Sequence, residues 1–264
     1  MNRVLVVGDL HCHFDVLDKV KALIPKYDKV IFLGDYVDDW NAIPESSYNM
    51  LTEVINLKLD NPDKIICLCG NHSTSEWFGE RFRCSGYNEF THNLVKPLFD
   101  KYEHLFDIAY APDKHTIYSH AGFTRYWVKQ TFNKNFRSAT ELARAINKAF
   151  HNRNNPESTH QKEYEETFYH LTDVGHVRGG WTEPSPLWAD ADELVIDRLN
   201  GITQIVGHTP VRTVQHFTTS DTDLYFCDTF STYPDSRNIG DCSLLTFEDN
   251  SPVKISLDGK QIAW

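Results

Sequence analysis

Three times near the start of the chain a short apolar run stops at glycine and gives way at once to polar, titratable side chains: "RVLVVG" (3–8), "KVIFLG" (29–34) and "KIICLCG" (64–70). Runs this short, rich in β-branched residues and bounded by glycine, predict buried strands rather than helices. Between them the period changes. Residues 15–24 place Val16, Val20, Leu23 and Ile24 on one side of a helix, and residues 46–59 do the same with Met50, Val54 and Leu57 behind Ser46 or Ser47 as N-cap. The alternation predicts β-α units and a largely parallel sheet. "HTIYSHAG" (115–122) and "ITQIVGHTP" (202–210) read as further strands ending in His120 and His208, followed by short strands within 222–230 and 242–249. Residues 124–172 differ. They carry helical stretches at 141–150 and 162–171 around the polar "HNRNNPESTHQ", and predict a helical insertion over the sheet edge, with a polar linker as the alternative for 151–162.

In parallel α/β sheets, ligand sites lie beyond the carboxyl ends of the strands. The polar corners Asp9–His11, Asp35–Asp38, Asn71–His72, His120 and His208 are therefore expected to meet. Singly, each fits an ordinary turn, since Gly-Asp is a routine turn dipeptide. Together they form a mixed nitrogen and oxygen donor set, which suits Mn, Fe, Co, Ni or Zn better than Mg or Ca alone.

Composition narrows the setting. A chain of 264 residues, 41% hydrophobic and 13% aromatic, can bury a large α/β core without covalent staples. Its formal charge of −11 disfavours long nucleic acid, whose phosphates need a basic face. The cysteines stand at 12, 67, 69, 84, 227 and 242, and the apolar setting of Cys67 and Cys69 marks reduced core residues and a reducing compartment. No run is apolar enough for a membrane span, and the first residues lack a signal-peptide pattern. A cytoplasmic protein with no membrane partner is the expectation.

The ordered motifs "GDLH" (8–11), "GDYVD" (34–38), "GNH" (70–72), "SHAG" (119–122) and "GHTP" (207–210) resemble those of the calcineurin-like metallophosphoesterases, including the Ser/Thr protein phosphatases and the diadenosine tetraphosphatase-like branch. The resemblance spans residues 3–247 and skips the helical insertion. It implies an α/β fold over residues 1–264: a single four-layer sandwich of two mixed β-sheets flanked by helices, with a helical cap at 124–172. It also implies two divalent metal ions, manganese first and iron, nickel, cobalt or zinc after it. Asp9 and His11 would hold one ion, Asp35 would bridge both, and Asn71, His120 and His208 would complete the second. Such a pair shares a hydroxide that attacks phosphorus in line. The resemblance makes His72 the general acid that protonates the leaving oxygen, and Asp38 the carboxylate that keeps it protonated.

Departures from the pattern bear on the substrate. Protein phosphatases of this type follow the acidic residue of the second motif with Arg and "GNH" with Glu, whereas this chain has Asp39 and Ser73. A phosphate clamp is then expected elsewhere. Arg178 in "VRGGWTEPSPLWAD" (177–190) is the first candidate, with Trp181 or Trp188 to stack on a ring, and Arg125 is the second. His13 is expected to line the first corner, Cys12 to pack, and Asp228 either to hydrogen-bond His208 or to sit in a plain turn. The expected substrates are small phosphorylated molecules or nucleotides. A symmetrical dinucleoside polyphosphate hydrolase and a protein phosphatase are the alternatives within that chemistry. A catalytically idle binding scaffold is the rival from another class, and the intact ligand set argues against it.

Overall fold

The computed structural model describes residues 3–264. Strands β1 (Arg3–Val7), β2 (Lys29–Phe32) and β3 (Ile65–Leu68) alternate with helices α1 (Phe14–Leu23) and α2 (Pro44–Asp60). Helices α3 (Asn71–Phe78) and α4 (Glu89–Lys101) follow, then strands β4 (Phe106–Asp107), β5 (Ala109–Tyr110) and β6 (Thr116–Ser119). Next come α5 (Arg125–Phe132), α6 (Ala139–Asn152), α7 (Gln161–Tyr169) and α8 (Ala191–Ile196). The chain closes with β7 (Thr203–Val206), β8 (Gln215–Thr218), β9 (Asp223–Phe226), β10 (Leu244–Glu248) and β11 (Ser251–Ile255). No helix among the described residues is long and apolar enough to cross a membrane.

Two sheets result, in the orders β11-β10-β1-β2-β3-β4 and β5-β6-β7-β9-β8. Strands β1 to β4 run parallel, as do β6, β7 and β9, while β10, β11, β5 and β8 join antiparallel. Side chains alternate across a strand, and β1 shows the consequence. Leu5 and Val7 face α1 and α2, among Val16, Leu17 and Met50. Val6 faces the other way, into a layer between the sheets with Ile31, Leu68, Tyr118, Ile205 and Tyr225. A strand buried on both faces reads as an unbroken apolar run, which explains "VLVV". On the far side of the second sheet, Leu194 of α8 covers Val206, Leu224 and Phe226. The four layers are helix, sheet, sheet, helix.

One boundary differs from the sequence expectation. Helix α2 starts at Pro44 with Ile43 as its cap, upstream of Ser46 and Ser47. Proline suits a first turn because its φ is preset and its missing N–H would have no partner there. Ser47 is instead buried, and its hydroxyl accepts the Asp38 backbone N–H at 3.2 Å.

Residues 124–172 carry α5, α6 and α7, and α6 packs on β5 and β6. Their anchor is an aromatic cluster. Trp77 of α3 stacks on Phe78 and Phe99 and meets the edge of Phe150 from α6, while Phe168 of α7 meets Phe78 edge-on. Arg153 is buried among these rings, 4.8 Å from the Phe150 centroid and 5.1 Å from that of Phe168, and pairs with Glu103. The stretch 151–162 is thereby tied to the body.

Candidate metal centre and active-site cleft

All five polar corners lie where the sequence placed them, just beyond the ends of β1, β2, β3, β6 and β7. The turns are tight. His11, Cys12, Asp35, Asp38 and His208 all adopt positive φ, between 37° and 70°. Non-glycine residues in that region carry strain, which persists only where surrounding bonds enforce it. Here the Leu10 and His11 N–H groups donate to Asp35 O at 2.9 and 2.8 Å, and Cys12 N–H donates to Tyr36 O at 3.1 Å. The His208 N–H reaches both Asp9 carboxylate oxygens at 3.1 Å. Two glycines allow the closeness: a Cβ on Gly70 would collide with the Asp35 carboxylate, and one on Gly207 with that of Asp9.

Asp9, Asp35, Asn71 and His120 are buried, and their side chains converge with that of His208. His120 Nε2 lies 2.9 Å from Asn71 Oδ1, 3.2 Å from His208 Nδ1 and 3.2 Å from Asp35 Oδ2. His208 Nδ1 is 3.1 Å from Asn71 Oδ1. Ligands about 2.1 Å from one ion and at right angles to each other stand about 3 Å apart, so these spacings are those of neighbouring ligands. His120 Nδ1 donates to Leu33 O and His11 Nδ1 to Asp38 O, which leaves both Nε2 atoms facing inward. A second ring nitrogen bonded to a carbonyl is the usual support of a metal-binding imidazole. Asp35 Oδ2 is buried without a hydrogen-bond partner, yet sits 3.2 Å from His120 Nε2 and 4.0 Å from His11 Nε2. It therefore faces both halves of the cluster. Asp9, Asp35 and His120 can also place one ligand atom each within 4.8 Å of one another.

The electrostatics agree with a cation site. Burial, reinforced by the neighbouring Asp228 carboxylate, pushes the Asp9 pKa well above its ordinary value. Burial likewise raises that of Asp228. Two buried carboxyls repelling each other require a positive charge to ionise cheaply. Burial also works against ionisation of Asp35, but the imidazoles of His120, His72 and His11 outweigh it and hold that carboxyl below the usual range. The His208 pKa is also driven down, well below its ordinary value, by burial and by the positive neighbours His120 and Arg178, which favours the neutral form that binds metals. The donor set thus fits divalent first-row cations.

A cleft of about 510 Å³ opens above this floor. His72, in the first turn of α3, lies on its wall with Nδ1 2.7 Å from Asp38 Oδ2. Burial opposes a charge on His72, but its hydrogen bonds with Asp38, which accepts, and with Cys84 prevail and raise its pKa well above the ordinary value. Arg178 lines the cleft with its Nε 3.0 Å from Asp190 and its Nη2 donating to Thr209 Oγ1 at 3.2 Å. Trp188 lines it as well.

Several expectations are corrected. Arg125 is outside the cleft: its Nε pairs with Asp197 at 3.2 Å and its backbone N–H donates to Asp197 O, so it closes a loop. Trp181 is 87% exposed and also outside, whereas His13 stands at the first corner, its N–H donating to Leu10 O at 2.7 Å and its backbone starting α1, without lining the cleft. Asp228 accepts from the backbone and hydroxyl of Ser231, not from His208. Cys12, by contrast, packs against the core as expected, and burial raises its thiol pKa to about 11. No residue of 124–172 lines the cleft. Besides His72, Arg178 and Trp188, its walls come from residues that no sequence signal marked, among them Trp40, Ser85, Asn88, Thr232 and Ile239.

The family pattern described as calcineurin-like phosphoesterase matches residues 2–231. Among curated protein sequences, none matches the chain. A cold-active protein-tyrosine phosphatase of a psychrophilic Shewanella species is 15% identical with a TM-score of 0.63, over 99% of this chain and 80% of that one. A metallophosphoesterase from Sphaerobacter thermophilus is 12% identical with a TM-score of 0.50, over 99% of this chain and 89% of that one. At such identities the likeness is one of fold.

Proposed function

The chain belongs to the calcineurin-like phosphoesterase family, and from that membership we propose a phosphatase with two divalent metals, acting on small phosphorylated molecules or nucleotides. The observation that carries this reading is that the donor cluster and the His72–Asp38 pair open on the same cleft. Two cations, manganese first, held by Asp9, His11 and Asp35 and by Asp35, Asn71, His120 and His208, would supply charge for the phosphoryl oxygens and acidity for the attacking water.

The chain's own groups do the rest. Asp38 keeps a proton on His72, and that imidazolium is placed to protonate the leaving oxygen. Arg178, braced by Asp190 and Thr209, binds a phosphoryl oxygen. Asp39 and Ser73, where protein phosphatases of the same pattern carry Arg and Glu, weigh against a protein substrate. Six free cysteines suit work in the reducing cytoplasm.

The test is a substrate panel with Mn, Ni, Co and Mg: nitrophenyl and alkyl phosphates, a phosphodiester, a symmetrical dinucleoside tetraphosphate and phosphotyrosine. Turnover that needs no metal, or none on any ester, sinks the reading. Within the panel, His72→Asn keeps its metals and loses about 10²–10⁴-fold on alkyl phosphates, with a much smaller loss on nitrophenyl phosphate, whose leaving group needs no proton. Equal losses on both, together with falling metal content, would make His72 a support for Asn71 instead.

A further inference from the structure

Beside the cleft lies a second hollow of about 260 Å³, and every ionisable side chain lining it is an arginine: Arg81, Arg83 and Arg178. Arg178 and Trp188 line both spaces, so the two share a wall. The contrast with the cleft is chemical. Asp9, Asp35, Asp38 and Asp39 make the cleft a place for cations, whereas the hollow concentrates positive charge in a chain whose formal net charge is −11. Among the described residues the ion-paired arginines are Arg125, Arg153, Arg178 and Arg237, which leaves Arg81 and Arg83 without a carboxylate. Aromatic faces hold them in place. Arg81 lies over the Tyr169 ring at 4.7 Å and Arg83 over the Tyr87 ring at 4.3 Å. Stacking uses the guanidinium face; Arg83 Nη2 also donates to the Tyr87 hydroxyl at 3.5 Å, and the remaining edge N–H groups of the pair are left for a ligand. Tyr169 ends α7, and Thr172 lines the hollow, so the helical insertion contributes here although it does not reach the cleft.

We propose that this hollow binds a second phosphoryl group of the substrate, while the first reacts in the cleft. The inference rests on the phosphatase reading and narrows its substrate class to molecules with two phosphoryl groups. Three guanidiniums gathered without enough carboxylates repel one another, and a dianion relieves that repulsion. Their forked donors match phosphate oxygens in pairs. Arg178, on the shared wall, can reach a phosphoryl group on either side, whereas a monophosphate in the cleft leaves Arg81 and Arg83 empty. A substrate anchored at both ends gains affinity from the remote contact, and the gain shows in kcat/KM.

Two measurements test this on the full chain and on the double variant Arg81→Gln/Arg83→Gln. The first is the ratio of kcat/KM for fructose 1,6-bisphosphate over fructose 6-phosphate, and for adenosine 3′,5′-bisphosphate over adenosine monophosphate. The arms separate a sugar from a nucleotide source, and a ratio cancels any general loss of activity. At least one ratio is expected to be about tenfold or more and to fall near one in the variant. The second is calorimetric binding of tripolyphosphate to chelator-treated protein, where no catalysis is involved. Salt-sensitive binding that weakens at least about tenfold in the variant supports the hollow. Unchanged ratios and unchanged tripolyphosphate binding overturn it, whatever the hydrolytic activity. Weakened tripolyphosphate binding in a protein that hydrolyses no ester supports the hollow and overturns the phosphatase reading alone.

Discussion

Glu76 is 1% exposed, and only one of its oxygens has a partner: Oε1 accepts the Asn88 N–H at 2.8 Å, while Oε2 is buried and unbonded. Burial raises its pKa to about 7; the Asn88 bond resists, Asp38 adds to the rise and His72 again opposes it. The folded state therefore binds a proton that the unfolded chain has already released between the ordinary glutamate range and about pH 7. Stability from this group is present at low pH and is lost as pH rises through that window. Glu76→Gln keeps an acceptor for Asn88 without a charge. Denaturant unfolding at pH 5 and pH 8 should show the variant gaining about 1–3 kcal/mol on the parent across that interval. Parallel profiles would show that Glu76 finds water or another partner.

Helices α6 and α7 hold to α3 through one charged residue among rings. Arg153 is 6% exposed, pairs with Glu103 and donates to Phe150 O at 2.6 Å. Arg153→Ala removes the ring contacts and leaves Glu103 without its partner, at a cost of about 2–4 kcal/mol. The loss should be local. Hydrogen exchange should speed up over residues 139–169 while β1, β2 and β3 keep their protection. Uniform acceleration would mean that the insertion and the sandwich unfold as one unit. Because Tyr169 lies under Arg81, the same variant is expected to weaken tripolyphosphate binding as well.

Across the whole molecule, two sheets deliver five corners to one point and in doing so bury carboxylates that repel each other. Asp9 and Asp228 both carry raised pKa values, with burial as the leading cause. A ligand that binds only the folded state at a hundred times its Kd adds about 2.7 kcal/mol, which for a chain of this size is a Tm rise of about 5–10 °C. Manganese added to chelator-treated protein should raise Tm by that order, and Asp35→Asn should lose most of the rise because Asp35 Oδ2 faces both His11 and His120. An equal rise in Asp35→Asn would place the cation elsewhere.

The sequence by itself determined the β-α units and the five corners, since both are local, whereas the two-sheet layering followed only from the ordered motifs taken together as a family resemblance. A strand buried on two faces must be apolar without interruption, and a glycine followed by Asp, Asn or His can be read within a few residues. Where one signal lay over another, locality failed: Pro44 begins α2 although Ser46 and Ser47 offered a cap, because Ser47 is spent on the Asp38 N–H. Tertiary structure decided the rest. Arg125 and Arg178 look alike in sequence, yet Asp197 draws one away while Asp190 and Thr209 hold the other at the cleft. Trp181 and Trp188 are separated only by which of them turns inward. Arg81 and Arg83 join Arg178 because Tyr87 and Tyr169 set two guanidiniums beside the loop carrying the third. That meeting depends on how α7 packs against α3, a contact between distant parts of the chain that no local pattern encodes.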